Sequence, residues 1–524
     1  MGINMKLYRR LFIASVLCLT SSVHADHGNY TENDLHSLGC SDSMKTCLFE
    51  AIAIDWLGGL YCSSSPSLQA RLVETVLKGD KVFWKKLAWD EKGTPFFLVE
   101  YQTKKDASTT CYIRATRSRL AHVNQKGILG SVVPNAEQGS TQTPQEPKGN
   151  LKLQQSFEFK RACEAGKTYT IVTVGDILLH TALQEQAAEH QDFKPLWTPF
   201  LSYFQQADMA YANLEAPTAQ GVNKFGESVT EPGHTFDDIV YSSYPQFNYH
   251  SSLIGDLLDS GFDVVSTANN HSLDRRSLGI ERTIDALEKQ GLSFTGTRRK
   301  GEKISVRPWR TIVERNGLRI AWIACTYGTN GIPDKYHQVL HCFDPQDKPI
   351  ILAEINKQSQ HPDIDAVFVA PHWGTEYQTQ PNLKEIALGK EFLEAGALAV
   401  IGNHPHVQQP MQKYTTRDGR ETFIIYSLGN FVSDQGKVRR RAAIILFVGL
   451  TKNNKGETFL NGVKFIPAIM NNYTGANHYQ LEPSKSQDVI NQESYEHILS
   501  VLSEEHQVAY GDSVVTNDLC QNVR

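Results

Sequence analysis

Eight polar residues spread between positions 176 and 406 could do chemistry together: Asp176, Asn213, Glu215, Asn270, His271, His372, His404 and His406. They offer oxygen and imidazole donors and no thiolate, a set that suits Zn, Mn, Fe or another borderline divalent ion better than soft Cu(I). A carboxylate able to bridge, flanked by imidazoles, is what a two-metal centre needs. Two ions a few ångströms apart can clamp a phosphoryl or acyl group and activate a water. Taken singly, each residue has a blander use: Asp176 as a helix N-cap, Asn213 and Asn270 as turn formers, His271 as an ordinary histidine. His404-Pro405-His406 stands apart, because an extended H-x-H directs both rings to one side of the chain and presents two imidazoles together.

The elements that must position these groups are legible as well. β-Branched and apolar runs at residues 168–174, 209–212, 262–267, 365–370 and 398–401 read as strands, and each is followed at once by one of the polar residues. Helical patterns at 253–258, 279–290 and 383–395 lie between them, which predicts an α/β fold of layered sheets flanked by helices. In such folds the carboxyl ends of the strands line one edge, and ligands gather there. Five strand ends carrying donors therefore predict one cleft, and the blander uses would have to coincide at all five. Asn316-Gly317, between residues 311–315 and 318–325, predicts a hairpin turn.

At 524 residues the chain is too long for one ordinary core. Residues 1–25 read as a signal peptide, with Lys6, Arg9 and Arg10 before an apolar stretch and Val23-His24-Ala25 as the cleavage site. The stretch falls short of the roughly 20 residues a spanning helix needs, and bulky Leu17 before Cys18 argues against a lipoprotein site. The expectation is an exported protein: periplasmic, cell-surface or secreted. Residues 26–133 read as a small cysteine-containing α+β domain, helical near 68–77 and strand-like at 95–101 and 110–116. Residues 134–150 form a polar, proline-bearing linker, 151–480 the main domain, and 481–524 a C-terminal extension. Of nine cysteines Cys18 would leave with the signal, and the even remainder favours disulfides in an exported chain. Their pairing stays open, and a buried Cys325 thiol in the apolar run 321–327 is an alternative. A net charge of −5 gives no overall pull toward nucleic acid or anionic lipid.

Several strings carry a more specific likeness: Gly175-Asp176; Ala207-Asp208 with Asn213-Leu214-Glu215-Ala216-Pro217; Ala268-Asn269-Asn270-His271-Ser272-Leu273-Asp274; His372-Trp373-Gly374-Thr375-Glu376-Tyr377; Gly402-Asn403-His404-Pro405-His406-Val407; and Tyr426-Ser427-Leu428-Gly429-Asn430-Phe431. In order and spacing they resemble the CapA-type poly-γ-glutamate capsule-synthesis family (PGA_cap), similar in fold to calcineurin-like metallophosphoesterases. The resemblance implies that Asp176 and His406 hold one divalent ion, that Asn270, His372 and His404 hold another, and that Glu215 bridges them. It makes His271 a general acid, with Asn213, Asp274, Glu376 and Asn430 supporting the ligands and Gly429 allowing a tight turn. Trp373 would line the cleft wall, with substrate stacking an alternative.

Three departures stand out. Leu178 occupies a position where phosphoesterases of this fold usually carry histidine, with His180 the nearest substitute. Glu215 is one methylene longer than the usual bridging aspartate. Arg275-Arg276 follows Asp274 where a glycine is common at the second position, and two guanidiniums there could grip an anionic substrate; a solvated helix face is the equal alternative. One or two ions are therefore expected. The implied function is metal-dependent hydrolysis, phosphoesterase-like or amide-cleaving, on an anionic capsule-type polymer or small anionic substrate in the cell envelope, with envelope-associated partners. The alternative is a non-catalytic polymer-binding or export component using the same cleft; a purely structural surface protein would bind no metal at all.

Overall fold

The computed structural model describes residues 158–473, 478–485, 489–518 and 520, together with the backbone of seven strands between residues 47 and 122. The signal segment 1–25 and the linker 134–150 lie outside the described residues. Two compact units divide between Gln142 and Thr143.

The described part of the first unit is one antiparallel sheet. Its strands are β1 (Cys47–Ala51), β2 (Leu60–Ser63), β3 (Leu72–Val76), β4 (Lys81–Trp89), β5 (Pro95–Gln102), β6 (Ser108–Arg114) and β7 (Leu120–His122), in the order β3-β2-β6-β5-β4-β1-β7. The helix expected near residues 68–77 is instead, over Leu72–Val76, a strand paired with β2. A short apolar run reads equally well at either period, and sheet pairing decides it.

The second unit is built on two sheets. One contains β8 (Gly166–Leu178), β9 (Met209–Leu214), β10 (Val264–Ser266) and β11 (Ser293–Thr295). The other contains β12 (Arg310–Arg315), β13 (Leu318–Thr326), β14 (Ala366–His372), β15 (Ala399–Ile401), β16 (Gln408–Thr415) and β17 (Glu421–Leu428). The chain then returns to the first sheet with β18 (Asn430–Ser433), β19 (Ala442–Asn453), β20 (Thr458–Tyr473) and β21 (His478–Pro483). The first sheet runs β11-β10-β9-β8-β19-β20-β21 with β18 also on β8, and the second β12-β13-β14-β15-β17-β16. Strands β8 to β11 are mutually parallel, as are β13, β14, β15 and β17; β18 is parallel to β8, and antiparallel strands complete each sheet. This is the expected layered α/β class.

The apolar runs are unbroken because these strands are buried on both faces. On β13, Ile320, Trp322 and Ala324 enter the core between the sheets, while Ala321, Ile323 and Cys325 meet Ile351 and Ile355 of the helix Asp347–Ser359 and Phe392 of the helix Leu383–Ala395. The latter helix starts with a capping box made by Asn382 and Glu385. Between the sheets, Tyr211 lies flat on Trp322 with ring centroids 4.7 Å apart, and Trp322 meets Phe368 edge-on at 5.0 Å. With that face filled, the helices Ser252–Ser260 and Arg276–Gln290 place Leu253, Leu257, Ile280, Ile284 and Leu287 on the opposite face of the first sheet. No helix among the described residues is long and apolar enough to cross a membrane.

Asn316 and Gly317 make the expected hairpin turn, both at positive φ. The C-terminal segment returns across the second unit: the Thr516 backbone lies over Gly462, where an added Cβ would meet its carbonyl oxygen at 1.8 Å. Cys520 is disulfide-bonded to Cys163, and Cys325 is bonded to Cys342 rather than remaining a buried thiol. The Cys163–Cys520 bond spans 357 residues of sequence, so it closes almost the whole unit on itself. Cys163→Ser is expected to lower the unfolding free energy by about 2–4 kcal/mol, read from urea denaturation of the full chain; an unchanged midpoint would show that the closure adds no stability.

Candidate metal centre

The parallel strands of both sheets end at one place. Asp176 lies on β8, Asn213 on β9 with Glu215 just beyond it, and Asn270 and His271 in the turn after β10. From the other sheet come His372, the last residue of β14, and His404 and His406 from the bend after β15. All of these side chains are buried, His271 the most open at 5%.

Two close approaches of the backbone make the convergence possible. Gly175 lies against Gly429, where a Cβ would stand 1.9 Å from the Gly429 carbonyl oxygen; without one, Asp176 N–H donates to that oxygen at 3.1 Å. Gly429 itself takes φ +73°, as the expected tight turn requires. The next residue, Asn430, places its Oδ1 2.9 Å from His406 Nδ1.

Two triads share one corner. Glu215, His372 and His404 each offer an atom within 4.8 Å of the others, and so do Asp176, Glu215 and His406. Glu215 Oε1 lies 3.4 Å from His372 Nε2 and 3.8 Å from His406 Nε2. Asp176 Oδ2 lies 3.1 Å from His406 Nδ1 and accepts from the His404 backbone N–H at 3.3 Å. Asn213 Nδ2 donates to Asp176 Oδ1 at 2.8 Å and lies 3.2 Å from His372 Nδ1, joining the two triads. Asn270 Oδ1 is 2.9 Å from His372 Nε2. To one side, His271 Nδ1 is 2.7 Å from Asp274 Oδ2, which also accepts from the Phe247 N–H.

Among the described residues, neither oxygen of Glu215 has a hydrogen-bond donor, although the side chain is fully buried. Burial and the nearby Asp176 charge push its pKa well above the carboxylate range. Burial, reinforced by the neighbouring imidazoles, pulls His372 and His404 well below the usual histidine value, so both rings are neutral and their lone pairs can be donated. Burial pulls His406 the same way, but its hydrogen bond to Asp176 and that carboxylate's charge outweigh it, and its pKa is raised. The donor set fits a divalent cation: among the described residues no donor reaches Glu215, the His372 and His404 rings beside it are neutral, and His406 is held by Asp176.

Several sequence-based expectations are placed differently. Asp176 does not follow its strand as a helix cap; β8 continues through it to Leu178. His404 and His406 are not in an extended H-x-H. They adopt φ +103° and +56° in a bend, and it is the bend that brings their ring centroids to 5.7 Å. Leu178 belongs to the apolar core. His180 lies with Nδ1 3.1 Å from the Leu178 carbonyl, edge-on to Phe247, its pKa pulled to about 4 by burial and then by His406. Trp373, expected at the cleft wall, is fully buried, donates to the Tyr426 carbonyl at 2.9 Å and stacks along Phe392, which leaves it no face for substrate. Glu376 is near its expected place, with Oε1 3.9 Å from His406 Nε2.

Arg275 is the largest correction. Expected at the substrate, it is fully buried, and its guanidinium donates to the carbonyls of Val222 (3.0 Å), Gln246 (3.1 Å) and Val240 (2.9 Å) and to Ser242 Oγ. It fastens the segment 222–247 rather than gripping an anion. Arg276 is half-buried and donates to the Leu273 carbonyl at 3.3 Å.

Other contributors went unread in the sequence. Asn269, fully buried, donates to the Leu214 carbonyl at 2.7 Å and accepts from the His271 N–H at 3.1 Å, pinning the His271 turn to the end of β9. Tyr249 OH accepts from the Leu179 N–H at 3.0 Å and donates to the Glu215 carbonyl at 3.2 Å. The doubled asparagine before His271 was the available signal for the first; nothing local marks the second.

The family model described as bacterial capsule synthesis protein PGA_cap matches residues 170–435, which contain every residue of the two triads. The PGA biosynthesis protein CapA of Bacillus subtilis is 30% identical over 287 residues, covering 54% of this chain and 68% of that protein. The capsule biosynthesis protein CapA of Bacillus anthracis is 26% identical over 289 residues, covering 54% of this chain and 64% of that one. The chain thus spans about two thirds of the length of these relatives. Among solved structures, a novel phosphatase of Mycoplasma pneumoniae aligns with TM-score 0.33 at 13% identity, over 58% of this chain and 95% of that one. A putative 5′-nucleotidase of Staphylococcus aureus aligns with TM-score 0.34 at 12% identity, over 63% and 58% of the two chains.

Arg275→Ala would leave the Val222 carbonyl without its donor, at about 1–3 kcal/mol, while the Val240 and Gln246 carbonyls would keep the Asn248 amide and the Ser242 hydroxyl. The expected result is a loss of roughly 1–3 kcal/mol of unfolding free energy by urea denaturation. An unchanged midpoint with weakened binding of anions would return Arg275 to the substrate.

Proposed function

The chain belongs to the bacterial capsule synthesis protein PGA_cap family, and on that premise we propose that it is an exported, metal-dependent hydrolase acting in the cell envelope on an anionic capsule-type polymer such as poly-γ-glutamate. The observation that carries the reading is Glu215, a fully buried carboxylate with no donor at the shared corner of two histidine-containing triads. An isolated buried carboxylate costs several kcal/mol, and divalent cations would offset that cost. Asp176, Glu215 and His406 would hold one ion; Glu215, Asn270, His372 and His404 would hold a second. Zn, Mn and Fe each accept mixed carboxylate and imidazole donors of this kind. When bound, such ions supply the positive charge that polarises a phosphoryl or acyl group and eases deprotonation of the attacking water.

The chain's own residues do the rest. Asp274 fixes the His271 ring by accepting from Nδ1–H, which makes Nε2 the atom that exchanges a proton; with the ring protonated, its Nε2–H would pass to the leaving group. Phe247 meets the His271 ring edge-on at 4.9 Å and keeps water from that side. Asn213, between Asp176 and His372, holds the two sheets' contributions in register. Leu178, apolar and buried where a histidine is usual in this fold, favours a second reading in which the cleft binds polymer without turnover.

His372→Ala and His404→Ala are each expected to strip most bound metal from the purified protein, read by elemental analysis. His271→Ala is expected to retain the metal while lowering hydrolysis of a glutamyl or phosphoester substrate by about 10²–10⁴-fold. Full metal content in both ligand variants would refute the assignment; full metal in the parent with no hydrolysis of either substrate would leave the binding reading.

A further inference from the structure

The geometry points to Arg440, on the strongly basic segment Lys437-Val438-Arg439-Arg440-Arg441, as the residue that receives an oxyanion of the substrate beside the metal centre. The inference rests on the proposed anionic substrate and names the group that recognises it.

The segment follows β18, and its helix Val438–Arg441 is a single turn. Elsewhere in the second unit arginines are commonly paired: Arg161, Arg299, Arg307, Arg315 and Arg420 each lie within 3.0 Å of a carboxylate, or closer. Among the described residues, none of Lys437, Arg439, Arg440 and Arg441 has an ion-pair partner. Arg441 acts electrostatically on Asp434, and Arg439 on His497. Arg440 is different: its guanidinium carbon stands 3.3 Å over the ring of Tyr377. A stacked guanidinium is held by one face while its N–H edge remains able to bind a carboxylate or phosphate in bidentate fashion.

Arg440 is also tied to the centre by its backbone. Asn430 Nδ2 donates to the Arg440 carbonyl at 2.7 Å, while Oδ1 of the same amide is 2.9 Å from His406 Nδ1. The Tyr377 N–H donates to the Pro405 carbonyl at 2.8 Å, between the two histidines, and the Tyr377 ring lies 6.2 Å from that of His406. Arg440 therefore sits one aromatic ring away from the candidate ligands, at a fixed offset. Glu376 is the acid on this flank, and it interacts with Tyr377 and His406.

On the His404 side, Tyr327 packs at 4.7 Å on His404 and lines a groove of about 570 Å³ whose charged groups are Asp334 and Asp344, beside His341. An anionic chain crossing the centre is repelled by that groove and drawn to the Arg440 side.

The test uses the full chain loaded with Mn and two fluorescently labelled probes, poly-γ-glutamate of defined length and inorganic polyphosphate, with binding read by anisotropy. Arg440→Gln is expected to weaken poly-γ-glutamate binding about tenfold or more, with metal content and thermal midpoint unchanged. Arg440→Lys, which keeps the charge but not the planar fork, is expected to recover only part of the affinity. Arg417→Gln, an exposed arginine on the hairpin between β16 and β17, serves as the control for bulk charge and is expected to change nothing. If the parent binds poly-γ-glutamate and Arg440→Gln binds it equally well, the inference falls and the proposed function stands. An effect confined to polyphosphate would support Arg440 as an oxyanion site and overturn the polycarboxylate substrate. If the parent binds neither polymer, the proposed substrate and the role of Arg440 fall together.

Discussion

The structure turns on one electrostatic demand: Glu215 is a fully buried carboxylate that no donor satisfies. Alone, such a group takes up a proton, which is the direction in which burial and Asp176 drive it. Its neighbours decide what else could satisfy it. His372 and His404 are pressed toward neutrality by burial and by the neighbouring imidazoles, so they resist a proton but can donate a lone pair. A proton answers only the carboxylate. A divalent cation answers the carboxylate and both rings, and every further donor around it, from Asp176 to Asn270, adds to the difference.

Much of this arrangement was legible because buried parallel strands read as unbroken apolar runs, and the chemistry begins where each run stops. The rule identified the donors more securely than their local geometry. Gly175 reads as a strand terminator, yet it lies within β8 because Gly429 crosses it at a distance no side chain tolerates. His404-Pro405-His406 has the spacing of an extended pair but adopts positive φ at both histidines. Such backbone costs of order 1–3 kcal/mol per residue, and a three-residue string carries no sign of it. The antiparallel strands from β16 onward were not assigned at all. Ala442–Asn453 gains its partner β8 from far away in sequence, and Thr458–Tyr473 joins that sheet only through Ala442–Asn453; nothing local states the pairing with β8.

The arginines illustrate the same limit from the side of charge. Arg275 adjoins the His271 motif, and proximity in sequence suggested a substrate role. Its burial follows from the fold of residues 222–247, whose carbonyls turn inward and need a donor that can serve several at once. A guanidinium, with five N–H groups in a planar fork, meets that need where a lysine would not. Arg440 lies in a basic run. The Asn430 amide, bonded at one end to the Arg440 carbonyl and contacting His406 at the other, and the Tyr377 ring beneath its guanidinium connect that run to the centre.

The two-sheet construction explains why the site can be both buried and precise. One sheet supplies Asp176, Asn213, Glu215 and Asn270, and the other supplies His372, His404 and His406. Among the described residues, no triad exists within either sheet alone. Their relative position is set by the core, where Tyr211 lies flat on Trp322, and by polar links that cross between the layers: Asn213 to His372, and Asn403 to the Tyr211 hydroxyl at 3.2 Å. Tyr211 therefore belongs to both systems, its ring packed against the opposite sheet and its hydroxyl bonded to the residue that precedes His404. Interiors packed at this density do not deform continuously. A shift of the sheets large enough to separate Glu215 from His372 would have to break the Tyr211 stack and the Asn403 bond together, so the stability of the core and the geometry of the centre are one constraint.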